Sequence, residues 1–191
     1  AAIDGATGAT YTLGDADVGK QISVSVNYTD GQGTVETLTS AQTAAVTGVN
    51  DAPTGLPTIT GTATENQVLT ADTSGIADAD GLGTMSVQWL RDGVAISGAT
   101  GTTYTLGDAD VGKQISVSVS YTDGQGTSET LTSAQTAAVA NVNDAPTGLP
   151  TITGTVAEDQ VLTVSTSAIA DVEGLGTMSV QWLRDGVAIS G

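Results

Sequence analysis

Leu106-Gly-Asp-Ala-Asp-Val-Gly-Lys-Gln-Ile-Ser-Val-Ser-Val-Ser-Tyr121 is the stretch that decides the fold. Its second half alternates strictly: Ile115, Val117, Val119 and Tyr121 fall on one face, Ser116, Ser118 and Ser120 on the other. Successive side chains of a strand point to opposite faces, so this period of two specifies a strand with one buried and one wet side. The half before it is turn chemistry. Two aspartates and two glycines leading into a long strand predict a corner at which a carboxylate and a tight turn lock the chain's crossing between two sheets.

Working outward, the same alternation appears in Met85, Val87 and Trp89 against Ser86 and Gln88. Shorter strands are expected at Thr58 to Thr60, Gln67 to Ala71, Tyr104 to Leu106 and Glu129 to Val139. Asp78-Ala-Asp-Gly81, Arg91-Asp-Gly93 and Asp123-Gly-Gln-Gly126 are turns between them. No stretch sustains a 3.6-residue period with caps. Seven or so short strands at this spacing predict an all-β chain of antiparallel Ig-like β-sandwiches. Trp89, on the third substantial strand, is the expected core anchor, and with no Phe in the chain the Trp and Tyr residues are expected to supply the core's aromatic area. Thr58-Ile-Thr-Gly-Thr-Ala-Thr64 is expected on an exposed edge.

The chain is internally repetitive. Tyr11 to Lys20 recurs as Tyr104 to Lys113, Val49 to Pro57 as Val142 to Pro150, and Met85 to Gly98 as Met178 to Gly191, all at an offset of 93 residues. Residues 1–98 differ from 94–191 at 15 of 98 positions. A period this long exceeds that of a solenoid and matches one small sandwich per repeat. Boundaries are expected in Asn50-Asp-Ala-Pro-Thr-Gly55 and Asn143-Asp-Ala-Pro-Thr-Gly148. The expected division is residues 1–49 as the C-terminal half of one repeat, 50–142 as a complete repeat and 143–191 as the N-terminal half of the next. Half a sandwich exposes an apolar face, so the chain reads either as a stretch of a longer tandem array, the favoured reading, or as halves completed by identical chains end to end.

Composition removes several functions. There are 21 Asp and Glu against 4 Lys and Arg, for a net charge of −17, with no His and no Cys. Four scattered cations give no footprint for nucleic acid. Without His or Cys there is no zinc site of the usual kind, no thiol nucleophile and no imidazole base, and no apolar run is long enough to insert in a membrane. Repeated turn carboxylates without a cleft-forming insertion argue against an enzyme. A carbohydrate- or protein-binding module needs exposed aromatics, which Tyr28 and Tyr121 would supply if they formed a surface patch. A structural extender needs only units that fold and join their neighbours, at about 40 Å each for strands of this length.

The combination Trp89-Leu-Arg-Asp-Gly-Val-Ala-Ile-Ser-Gly-Ala-Thr100, Tyr104-Thr-Leu-Gly-Asp-Ala-Asp-Val-Gly112, Tyr121-Thr-Asp-Gly-Gln-Gly126 and Asn143-Asp-Ala-Pro146 resembles the tandem Ig-like repeats of large secreted bacterial adhesins of the repeats-in-toxin type. The Asn-Asp-Ala-Pro junction is similar to that of bacterial cadherin-like repeats. The resemblance implies a stalk, extracellular or on the cell surface of a Gram-negative bacterium, that projects a distal binding domain and whose partners are neighbouring repeats of the same chain.

Calcium is the ligand this composition invites, because it takes six to eight oxygens from carboxylates, amides and carbonyls. Asn50, Asp51, Asn143 and Asp144 lie in the linkers. Asp78 and Asp80, with their counterparts Asp171 and Glu173, lie in a turn, and Glu65 and Glu158 precede a strand. The grouping resembles the cadherin arrangement, in which a Glu, an Asp-x-Asp turn and a linker Asn-Asp converge on Ca2+ between domains. Asp and Asn are also ordinary turn residues, and from sequence both readings stand.

Overall fold

Alternating valine and serine produces strands with one apolar face, and such strands are stable only when that face meets another sheet. The structure, a computed structural model, describes residues 1–189. Its strands in chain order are β1 (Ser25–Thr29), β2 (Val35–Thr39), β3 (Thr58–Thr60), β4 (Val68–Asp72), β5 (Ser86–Arg91), β6 (Val94–Ala95), β7 (Thr103–Thr105), β8 (Ile115–Thr122), β9 (Ser128–Thr132), β10 (Thr151–Thr153), β11 (Thr163–Ser165), β12 (Leu183–Arg184) and β13 (Val187–Ala188). All pairings between these strands are antiparallel. The only helical elements among the described residues are two 3-10 turns, Asp15–Asp17 and Asp108–Asp110. The chain is all-β, as its alternation requires.

Two sheets enclose the core. One has the order β3-β4-β7, the other β6-β5-β8-β9. Leu69 and Ala71 from β4 face Val87 and Trp89 from β5 and Ile115, Val117, Val119 and Tyr121 from β8 in one buried cluster, every member of which lies between Leu69 and Val139. The register sets Val87 opposite Val119 and Trp89 opposite Val117, so the predicted apolar faces coincide. Trp89 is fully buried. Its indole N–H donates to the Gly101 carbonyl at 2.9 Å, and its ring stacks on Tyr104 with centroids 5.7 Å apart. The expected edge position of Thr58–Thr60 is also found, since β3 pairs only with β4.

The predicted corner is built by Asp110. Its Oδ2 accepts the Tyr104 hydroxyl at 2.9 Å and the Gly107 N–H at 3.0 Å, while Oδ1 accepts Arg91 Nε at 2.7 Å. One buried carboxylate thus ties the 3-10 turn to β7 and β5 immediately before the chain enters β8.

The last strand departs from expectation. An unbroken run from Glu129 to Val139 was predicted, but regular pairing stops at Thr132. Beyond it, Ser133, Thr136 and Val139 donate to the carbonyls of Val117, Ile115 and Lys113. The edge therefore advances three residues for every two on β8. Side-chain hydroxyls close the resulting gaps: Ser133 Oγ accepts the Val117 N–H at 3.0 Å and Thr136 Oγ1 the Ile115 N–H at 3.1 Å. Bulges of this kind twist an edge away from further pairing.

Residues 1–49 and 143–189 carry the same local structure without an opposing sheet. The β1–β2 hairpin pairs as β8–β9 does, yet every residue of β1 is exposed. The expectation that all Trp and Tyr would be core residues therefore holds for Trp89 and Tyr121, while Tyr11 and Tyr28 are exposed because the sheet that would cover them is missing.

Candidate metal site

The linkers are held by backbone geometry. Thr54 and Ala77 exchange hydrogen bonds of 2.7 and 2.9 Å, and their counterparts Thr147 and Ala170 repeat both distances. Gly55, at φ +75°, lets the linker run against the Gly75 carbonyl, where a Cβ would collide with backbone. This clamp sets the preceding Asp-Ala-Pro segment beside the acidic turn. Asp51 N–H donates to Asp80 Oδ2 at 2.6 Å, and Asp144 N–H donates to Glu173 Oε1 at 3.0 Å. Those turn carboxylates are in turn fixed: Asp80 N–H donates to Asp78 Oδ1 and Glu173 N–H to Asp171 Oδ1. Asp78 Oδ2 also receives the Tyr121 hydroxyl.

At the second linker three carboxylates converge. One oxygen each from Glu65, Asp108 and Asp144 lies within 4.8 Å of the other two. Glu65 is fully buried. Its Oε2 accepts the Val142 N–H at 3.0 Å, whereas Oε1 has no hydrogen-bond partner, and neither has the buried Oδ2 of Asp144. A buried carboxylate oxygen without a donor costs free energy that a bound cation recovers. The Val142 N–H favours the Glu65 carboxylate, but the adjoining Asp108, burial and Asp144 outweigh it and raise its pKa above the ordinary value. Glu173 is shifted the opposite way, chiefly by the Asp144 N–H, with Asp171 and Asn141 adding to it. The triad is thus the electrostatically uncompensated part of the junction, and the donor set, all carboxylate oxygen, suits a hard divalent ion.

The sequence-predicted residues divide accordingly. Glu65 and Asp144 meet directly. Glu173 and Asp171 lie one shell out and grip the linker backbone. Asn143 turns its amide to the Asp144 carbonyl and Asn50 to Glu129, so neither amide joins the triad. Glu158 is exposed, away from any such group among the described residues. At the first linker Asp51 has its pKa raised by Asp15 first, then by burial, Asp80 and Asp78. Asp15 is the counterpart of Asp108 at the 93-residue offset.

Asp108 was missed. Sequence reading spent both aspartates of Gly107-Asp-Ala-Asp-Val-Gly112 on the corner, although the corner uses only Asp110. The signal was the spare carboxylate, since one turn requires one capping acid. Tyr121, weighed as half of an exposed aromatic patch, is buried. Comparison with family models, with curated proteins and with solved structures finds no match to this chain.

Proposed function

We propose that the chain is a run of structural extender units from a bacterial surface or secreted protein, with Ig-like sandwiches joined end to end and their junctions stiffened by calcium. The observation that carries this reading is the junction built twice: the Thr54–Ala77 clamp and its Asp51–Asp80 hydrogen bond recur as Thr147–Ala170 and Asp144–Glu173. A spacer transmits length only if each unit meets the next in a fixed relation, and a two-point backbone clamp supplies one. The motif resemblance to tandem repeats of secreted adhesins supports the same assignment.

Glu65, Asp108 and Asp144 would hold the ion. Glu65 and Asp108 belong to one side of the linker, while Asp144 belongs to the linker itself and is gripped by Glu173 from the other side. Calcium would join three repelling carboxylates and so fix the linker's angle. Small-angle scattering of the chain with calcium and with chelator tests this. Calcium should lengthen the maximum dimension and narrow the distribution of interatomic distances; identical curves in the two conditions would remove calcium from the account.

A further inference from the structure

The apolar surface left open by residues 1–49 and 143–189 is complementary in detail. Val24, Val26 and Tyr28 are 59%, 54% and 49% exposed, whereas Val117, Val119 and Tyr121 at the same repeat positions are 0%, 0% and 4% exposed. Val180 is likewise exposed where Val87 is buried. An open cleft of about 480 Å³ lies among Ile152, Val164, Ile169, Val180 and Trp182. It occupies the place that β8 fills between Leu69, Val87 and Trp89 in the closed sandwich. A second cleft of about 480 Å³ opens between Tyr11, Leu13, Ile22 and Val46. Residues 143–191 repeat 50–98 and residues 1–49 repeat 94–142, so each segment holds the strands the other lacks.

We infer that a second copy of this chain docks the 143–191 segment of one molecule on the 1–49 segment of the next, closing a sandwich between them. The register follows from the β5–β8 ladder, in which Val87 faces Val119, Trp89 faces Val117 and Arg91 faces Ile115. In the joint between copies Val180 meets Val26, Trp182 meets Val24 and Arg184 meets Ile22. Charges complement as well. Asp17 already holds the Tyr11 hydroxyl at 2.8 Å and the Gly14 N–H at 3.0 Å, as Asp110 holds their counterparts. What it lacks is the guanidinium that Arg91 gives Asp110, and Arg184 has no carboxylate within 4.0 Å among the described residues. The joint also returns Glu158 to Asp15 and Asp51, rebuilding at the first linker the carboxylate set seen at the second. Such an interface is a domain core cut in half, and its head-to-tail sense does not close, so copies add into filaments.

Sedimentation of the full chain across concentration is the test, with Val24→Lys and Val180→Lys as one-face variants. Both sites lie outside the buried core between Leu69 and Val139, whose unfolding transition reports that each variant is folded. The parent should grow past dimer mass as concentration rises. Each variant alone should remain monomeric, and an equimolar mixture should form a dimer and stop there, because one blocked end remains on each partner. A parent that stays monomeric overturns the inference. So does a variant that assembles as the parent does, or a mixture that gives no dimer.

Discussion

Asp108 and Asp110 sit in one 3-10 turn, two residues apart, and act on different parts of the molecule. Asp110 is buried and satisfies three donors, from Tyr104, Gly107 and Arg91. Asp108 is exposed and reaches the linker cluster with Glu65 and Asp144. Their substitutions should therefore separate folding from ion binding. Asp110→Ala leaves a guanidinium, a hydroxyl and an N–H without their acceptor, and should cost about 3 kcal/mol in chemical denaturation with or without calcium. Asp108→Ala in chelator should change stability by less than about 0.5 kcal/mol, as surface substitutions do. In calcium at a hundredfold excess over the dissociation constant, the same variant should forfeit most of the roughly 2.7 kcal/mol that binding adds. Calcium stabilising Asp108→Ala as much as the parent would take Asp108 out of the site. The corner was legible in sequence because Asp and Gly before an alternating strand have a local meaning. The metal cluster was legible only in part, because its members lie 36 to 79 positions apart in the chain and only the fold brings them together.

At the level of elements, the edge after β9 shows why alternation predicts where a strand begins better than where it ends. Ser133-Ala-Gln-Thr-Ala-Ala-Val139 contains no proline and no glycine, so nothing local signals the change from two-residue to three-residue steps. What permits it are the hydroxyls, which accept N–H groups of β8 that the bulged backbone no longer reaches. The Val117 N–H bonded to Ser133 is buried, whereas the equivalent bond from Val24 N–H to Ser40 is exposed. Ser133→Ala strands a buried donor and should cost about 1–3 kcal/mol. Ser40→Ala hands its donor to water and should cost only a few tenths of that, provided residues 1–49 stay uncovered. Denaturant titration followed by the fluorescence of the buried indole of Trp89 reads the first directly, and equal costs for both would mean that the hydroxyl acts otherwise than by satisfying β8. The alternating strands themselves were fully readable, because β5 and β8 each carry an apolar face whose register is fixed by burial.

Over the whole molecule a net charge of −17 makes the junctions the places where repulsion is concentrated and where pH and calcium compete. The shifted acids fall into two windows. Glu65 is raised above its ordinary value of 4.5, so in chelator the folded chain takes up its proton at higher pH than the unfolded chain does. Stability from this group is therefore gained as pH falls through the folded value, and the gain is complete below 4.5. Asp72, held down by Ser74, and Asp92, held down first by the Gln114 N–H, work the other way. Their contribution is intact above 3.8 and is lost only as pH falls through their lowered values. The chelated protein should thus grow more stable from neutral pH toward the upper edge of the carboxylate range and lose stability below it. Calcium reverses the sign in the upper window alone, because the ion requires the ionised carboxylates that protons remove. Thermal melts between pH 7 and pH 4.5, with calcium and with chelator, should slope in opposite directions. Glu65→Gln should flatten the chelator curve and draw the two together, since the amide neither titrates nor binds the ion strongly. Parallel slopes in the parent would show that proton and ion do not share this site.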